Sequence, residues 1–222
     1  VNGKPLCYIV NITGPYTVYV TDVGQAIIVN SEHIRLKNAD LSHTGIGLEI
    51  AYAKHIQVED CVLDQNRDDG IYCWCSSDIN ITGCKLSHNQ GRGIYCYNSS
   101  LVVRHCNIFG NKGHGLYVVG AYKVDATHNW WGSPGGPEYK KYGDARDPEE
   151  VYSENGPEFL LYDPWLMEPW TGAIIYVFPT SGGNGTLVSV FGQYFTPGSI
   201  VTIYANGTPV AMCLARDDGT FE

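Results

Sequence analysis

Between Gly47 and Trp131 the chain repeats with a period of 22 or 23 residues. A fixed period that short restricts the fold to a solenoid, in which each unit buries its apolar face against its neighbours. The units open on Gly47, Gly70, Gly93 and Gly115, and each continues through three apolar pairs. The first two columns are Leu48, Ile71, Ile94, Leu116 and Ile50, Cys73, Cys96, Val118. The next two are Ile56, Ile79, Leu101, Val124 and Val58, Ile81, Val103, Ala126. The last two are Cys61, Cys84, Cys106, Asn129 and Leu63, Leu86, Ile108, Trp131. Inside each pair the apolar residues alternate with polar ones, which is strand periodicity. Three short strands per coil, stacked on their counterparts one coil away, predict a parallel β-helix. Asn66, Asn89 and Asn111 fall at one turn and predict a side-chain ladder along the stack.

Charge and cysteine usage narrow the function classes. The net charge is -9, with no Lys/Arg patch to neutralise phosphates, which argues against nucleic-acid binding. No apolar run approaches the roughly 20 residues that span a bilayer. The first residue is Val1, which reads as a processed or partial chain. Five Asn-x-Ser/Thr sequons, at Asn11, Asn80, Asn98, Asn184 and Asn206, exceed what residue frequencies predict and are candidate glycosylation sites. Of eight cysteines, Cys61, Cys84 and Cys106 share one inward column and Cys73 and Cys96 another. Stacked side chains about 4.8 Å apart are too far for a disulfide, so these five read as small core residues. Cys7, Cys75 and Cys213 stay unassigned.

Periodicity ends at His128-Asn-Trp-Trp-Gly-Ser-Pro-Gly-Gly-Pro137, where Trp131 is placed to plug the apolar stack. The expected organisation is a β-helix over 1–137, an extended capping or linking segment over 138–172, and a second β domain over 173–222. The strand-like runs from Ile174, Thr186 and Ser199 suit a small sandwich, and too few strands follow to close one.

Val1-Asn-Gly-Lys-Pro-Leu-Cys-Tyr-Ile-Val-Asn11, the Gly24-Gln-Ala-Ile-Ile-Val stretch, the Gly-Ile-Tyr coils, Asn-Trp-Trp-Gly-Ser-Pro and Asp-Pro-Trp-Leu resemble NosD-type (CASH) β-helix proteins, common on archaeal surfaces. The resemblance covers about residues 1–170 and implies a right-handed coil. Gly192-Gln-Tyr-Phe-Thr-Pro-Gly-Ser-Ile-Val-Thr-Ile203 resembles the immunoglobulin-like TIG repeats of exported proteins. The fold class is therefore all-β, a right-handed parallel β-helix followed by a partial immunoglobulin-like sandwich. Similar families include sugar-binding proteins, polysaccharide epimerases and lyases, and a copper-maturation protein, and fold alone does not choose among them. The seven histidines read as scattered and the methionines number two, so no copper set is expected.

Function must sit on the outward positions. Tyr72, Trp74, Tyr95, Tyr97 and Tyr117 occupy two adjacent outward columns of one sheet, an aromatic ledge suited to a protein partner or to sugar rings, unless a later segment covers it. At the turn before each repeat glycine, Asp69, Arg92 and His114 form one column, with Arg67, Gln90 and Lys112 beside it. An acid, an arginine and a histidine so spaced offer a base and a charge stabiliser for uronate chemistry. Asp64, Asp68 and Asp69 offer a calcium set, and an ion-pair ladder between coils explains the same residues without chemistry. The reading this favours is an extracellular or cell-surface structural or adhesive solenoid, without enzyme activity or cofactor, whose partners are itself or other surface proteins. A carbohydrate-binding module, or a lyase- or epimerase-like enzyme acting on polysaccharide, is the alternative. Residues 1–23 either cap the first coil or leave an edge for self-association.

Overall fold

A computed structural model of the 222-residue chain describes residues 2–120, 122–141, 149–172, 174–178, 189–193, 200–205, 208–216 and 220–221. It divides into two compact units, Val1–Trp170 and Thr171–Glu222.

The first unit is built from three parallel ladders. The first sheet stacks Leu6–Val10, Gln25–Val29, Leu48–Ala51, Ile71–Trp74, Ile94–Tyr97 and Leu116–Val119, then Glu150–Ser153 and finally Glu138–Tyr139. The second stacks Val18–Val20, Glu32–Lys37, Lys54–Glu59, Ser77–Thr82, Leu101–Arg104, Val124–Asp125 and Leu160–Leu161. The third holds Val62–Asp64, Lys85–Ser87 and Asn107–Phe109, and single bridges from Asp40 and Trp130 extend it at either end. Each repeat column is a register column: Leu48 faces Ile71, Ile71 faces Ile94, and Ile94 faces Leu116. Every residue of the six inward columns is buried, including Cys61, Cys84, Cys106, Cys73 and Cys96. Each fully buried Leu or Ile contributes about 1.5–3 kcal/mol. All eight cysteines are free thiols. In the column of three, each thiol donates to the carbonyl two residues back, at 3.2–3.3 Å. Burial also pushes the Cys73 thiol up to about 11, so it is an inert core group at neutral pH.

Polar ladders run inside the corners. Asn66, Asn89 and Asn111 are fully buried, and the backbone N–H of Asn66 donates to the Asn89 carboxamide oxygen, as that of Asn89 donates to Asn111. The Asn89 and Asn111 Nδ2 atoms donate to Leu63 and Leu86 carbonyls at 3.0 and 3.1 Å. A serine ladder at another corner was not visible as a motif: Ala53 donates to the Ser76 hydroxyl and Ser76 to that of Ser99.

The histidines are not scattered. His33, His43, His55, His88, His105 and His128 all have φ between 52° and 58°. They occupy left-handed corner positions, where His, Asn and Asp are favoured over other side chains. His114 is the exception, and it belongs to the turn before a repeat glycine.

The segment after the last repeat completes the stack. Glu150–Ser153 pairs with Leu116–Val119, and Leu160–Leu161 pairs with Val124–Asp125. The Glu149 carboxylate stands where the next ladder asparagine would be, accepting the Asn111 backbone N–H at 3.2 Å and its Nδ2 at 3.0 Å. Trp131 is fully buried at the end of its column. Further on, Trp170 exchanges two hydrogen bonds with the Asn107 carboxamide and stacks on His105 at 4.6 Å.

His105 makes this docking sensitive to acid. Burial, with the His128 and Arg104 charges nearby, pushes its pKa down to about 4. Unfolded histidine takes up its proton near 6.5, so between pH 6.5 and 4 the unfolded chain holds the extra proton and stability falls as pH falls. The expected loss, reduced by partial solvent screening, is about 1–2 kcal/mol. Thermal melts at pH 7 and 4.5 should differ less for His105→Asn, which keeps the left-handed corner, than for the native chain. An unchanged difference would sink the assignment.

At the other end, Leu6–Val10 and Val18–Val20 are edge strands, with Cys7, Ile9 and Val18 only partly covered over the core. Leu6, Tyr8, Tyr16 and Tyr19 are exposed there.

The second unit contains two antiparallel pairs, Ile174–Phe178 with Ser189–Gln193 and Ile200–Ala205 with Thr208–Leu214. Val201, Ala215 and Phe221 form its small buried cluster. Among the described residues no helix is long and apolar enough to cross a membrane.

Candidate functional site

The aromatic ledge forms because the outward columns of the first sheet carry rings in register, Tyr72 facing Tyr95, Tyr95 facing Tyr117, and Trp74 facing Tyr97. The strand spacing of about 4.8 Å is close to the stacking distance of planar rings, so the rings lie on one another. Trp74 and Tyr97 stack at 3.8 Å, Tyr72 and Tyr95 at 5.2 Å, and Tyr95 and Tyr117 at 6.0 Å. The closing segment lengthens the array: Tyr117 meets Tyr152 at 5.6 Å, Tyr152 meets Tyr139 at 5.4 Å, and Tyr139 stacks with Tyr162 at 6.5 Å. Sequence reasoning missed Tyr139, Tyr152 and Tyr162 because residues 138–162 lie outside the repeat.

The stacking changes what the ledge can do. Within a column each ring face is taken by the ring one coil away, so the middle of the array presents edges to solvent. Faces stay open where the run of aromatics in a column ends: Tyr72 has Glu49 one coil earlier, Tyr97 has Val119 one coil later, and the largest such ring is Trp74. Its counterpart one coil earlier is Ala51, and among the described residues its only ring contacts are with Tyr72 and Tyr97. The indole face on the Ala51 side therefore carries no ring. Glu49 lies in the neighbouring column beside it, and burial raises its carboxyl above the usual range.

Arg92 braces the array. Its guanidinium lies 4.8 Å from the Tyr95 ring centre and 4.9 Å from that of Tyr117. It also pairs with the Asp69 carboxylate at 3.6 Å, and its backbone N–H donates to the same carboxylate at 2.6 Å. Asp69, Arg92 and His114 are thus brought to one turn region, the acid held by Arg92. Asp69 is 2% exposed, sealed by its coil neighbours. Burial raises its carboxyl above the usual range while Arg92 pulls the other way. His114 is also buried, and its Nε2 lies 2.8 Å from the Lys140 carbonyl, to which it donates. Burial lowers its pKa and keeps it neutral. Lys112 donates to the Gln90 side chain, continuing the polar ladder between coils.

Next to Tyr117, Arg92, Lys112 and Lys141 join Gln90 and His114 around an open groove of about 440 Å³. Of the calcium candidates, Asp64 is engaged elsewhere, by Ser87 at 2.7 Å, His88 at 3.0 Å and Lys85 at 3.5 Å. Asp68 and Asp69 instead face Gly91 on the next coil. Among the described residues no three His, Cys, Asp or Glu side chains converge as a metal site. Of the sequons, Asn11, Asn80 and Asn98 are exposed, and Asn184 and Asn206 lie outside the described residues.

This geometry defines a parallel β-helix with an aromatic outer face. The chain belongs to the right handed beta helix region family, whose model matches residues 7–131. Among solved structures, the crystal structure of the periplasmic alginate epimerase AlgG is similar over 74% of this chain, at 14% identity and a TM-score of 0.32. The match covers 51% of that chain, so it spans about half its length. No curated protein matches.

Proposed function

We propose that this chain is a non-enzymatic structural or adhesive β-solenoid of a cell surface or extracellular assembly, and that the aromatic array is its contact face. The observation that carries the reading is the array itself. Half-buried rings extend from Tyr72 through Tyr117 to Tyr152, Tyr139 and Tyr162 on a rigid ladder, held by Arg92, while the neighbouring acid and histidine are buried. Partners of such a face are other surface proteins or further copies of the chain, the latter through the edge strands Leu6–Val10 and Val18–Val20. The NosD-type and archaeal character, the TIG-like identity of residues 173–222, and glycosylation at Asn11, Asn80, Asn98, Asn184 and Asn206 belong to the same proposal. The mass in solution, with electron microscopy of the native protein, tests it. Large assemblies or a captured surface partner are expected, with binding weakened at least about 30-fold in Trp74→Ala, as at an aromatic hot spot. A monomer that binds no surface component sinks the reading.

A carbohydrate-binding role is the second reading, supported by the ring-free indole face of Trp74 over Ala51. It predicts glycan affinity abolished by Ala51→Phe, which fills that step, with no turnover. The lyase- or epimerase-like alternative predicts turnover lost in Arg92→Ala or His114→Ala.

A further inference from the structure

We infer that His33 and His55 form a two-nitrogen site for a divalent transition-metal ion of the Zn2+ or Ni2+ kind, away from the aromatic array. Both lie on strands of the second sheet, Glu32–Lys37 and Lys54–Glu59. In the register of these strands Glu32 faces Lys54 and Ile34 faces Ile56, while the residues between them drop out of the ladder. Those residues are His33 and His55, and the equivalent residue one coil on is Asp78, between Ser77 and Ile79. All three have φ of 55–58°. The backbone therefore passes through the left-handed region at the same place on three successive coils, and such a corner takes its side chain out of the ordinary strand alternation.

The result is one row of side chains beside an open groove of about 230 Å³, lined also by Thr17, Gln57 and Asn80. Of the corner histidines, His105 is stacked on Trp170 and meets His128 only at 6.1 Å with the rings tilted by 52°, and His43 and His88 are separated by the Gln65 coil. His33 and His55 differ because they sit on adjacent coils with rings stacked 4.8 Å apart at 18°. The Nδ1 of His55 is bonded to an Asp78 carboxylate oxygen. A carboxylate at that nitrogen fixes the tautomer with the proton on Nδ1 and leaves the Nε2 lone pair free, the usual arrangement behind a metal-bound imidazole. Asp78 acts behind His55 and not as a third ligand, so water completes the coordination. A tetrahedral ion with bonds of about 2.0–2.1 Å holds two nitrogens about 3.4 Å apart. Rings stacked 4.8 Å apart must tilt their nitrogen edges together to hold the ion. Imidazole pairs suit Zn2+ and Ni2+, whereas Ca2+ and Mg2+ take oxygen donors.

The test is calorimetric titration of the full chain with ZnCl2 and NiCl2, alongside His33→Asn, His55→Asn, Asp78→Asn and His88→Asn. Asparagine keeps the left-handed corner, so the fold is preserved, and thermal melts verify it. One equivalent should bind. Affinity should fall at least about tenfold in His33→Asn and in His55→Asn, fall less in Asp78→Asn, and stay unchanged in His88→Asn. No binding of either ion overturns the inference. So does binding that survives both His33→Asn and His55→Asn, which would assign the ion to thiols elsewhere.

Discussion

Gly93→Ala is expected to destabilise the β-helix by about 3 kcal/mol or more, while Gly45→Ala, two residues before the equivalent Gly47, changes stability by less than about 1 kcal/mol. A methyl group on Gly93 would sit 2.6 Å from the Gly115 carbonyl oxygen and 3.1 Å from both the Asn111 carboxamide and the Ile108 side chain. The carbonyl cannot move aside, because it accepts the Ile94 N–H at 2.9 Å and so belongs to the ladder. Relief would require the coils to separate, which stretches the neighbouring ladder bonds and the buried Asn89–Asn111 pair. The same contact recurs at Gly70, 2.7 Å from the Gly93 carbonyl, and at Gly47, 2.9 Å from that of Gly70. The repeat glycine is therefore dictated by coil-to-coil approach. None of these three has a positive φ that would call for glycine on conformational grounds. Gly45 has open space at its Cβ position. Urea denaturation of both variants measures the contrast, and similar midpoints for the two would refute the explanation.

The coils were legible in the sequence because a parallel stack puts equivalent residues in equivalent environments. Leu48, Ile71, Ile94 and Leu116 announce an inward column by type, and Asn66, Asn89 and Asn111 announce a ladder. What did not repeat was not legible. Glu149 takes over from Asn111 as a ladder acceptor without resembling an asparagine, and it follows a stretch with no period. Tyr139 and Tyr152 join the array through strands that pair out of chain order, Glu150–Ser153 lying between Leu116–Val119 and Glu138–Tyr139. The corner histidines were hidden for another reason. Their shared property is a backbone conformation, which Asn, Asp, Gln, Tyr and Cys also satisfy at equivalent corners in Asn38, Asp60, Gln65, Tyr52 and Cys75, so no residue type marks it. The site reading depended on a geometric fact that spacing does not contain. Residues one coil apart are near enough for rings to cover one another, which turns the middle of a row of exposed faces into edges and leaves faces to offer where the aromatic runs end, at Trp74 beside Ala51, Tyr72 beside Glu49 and Tyr97 beside Val119.

Trp131→Ala is expected to remove about 3–5 kcal/mol, and Trp131→Phe less than about 2 kcal/mol. The indole continues the column of Leu63, Leu86 and Ile108 and is fully buried. Its ring passes 3.2 Å from the Cβ position of Gly115, at the level where Glu149 closes the asparagine ladder. Truncation to alanine leaves a cavity the size of an indole at the end of the stack. The surrounding coils are fixed by ladder bonds on three sides and cannot collapse to fill it, so the full cavity cost remains. Phenylalanine keeps most of the apolar volume. It also removes the indole N–H, which is buried without a hydrogen-bond partner, and loss of an unsatisfied donor offsets part of the lost packing. A tryptophan there for its hydrogen bond would give the opposite order, with phenylalanine nearly as damaging as alanine. Hydrogen exchange locates the effect: in Trp131→Ala, protection should fall first in Leu116–Val119 and Glu150–Ser153, whose pairing the plug supports, and last in Gln25–Val29 and Leu48–Ala51. In a solenoid each coil is stabilised by its neighbours alone, so damage at one end spreads inward coil by coil, and uniform loss of protection along the stack would mean that the whole β-helix unfolds as one unit.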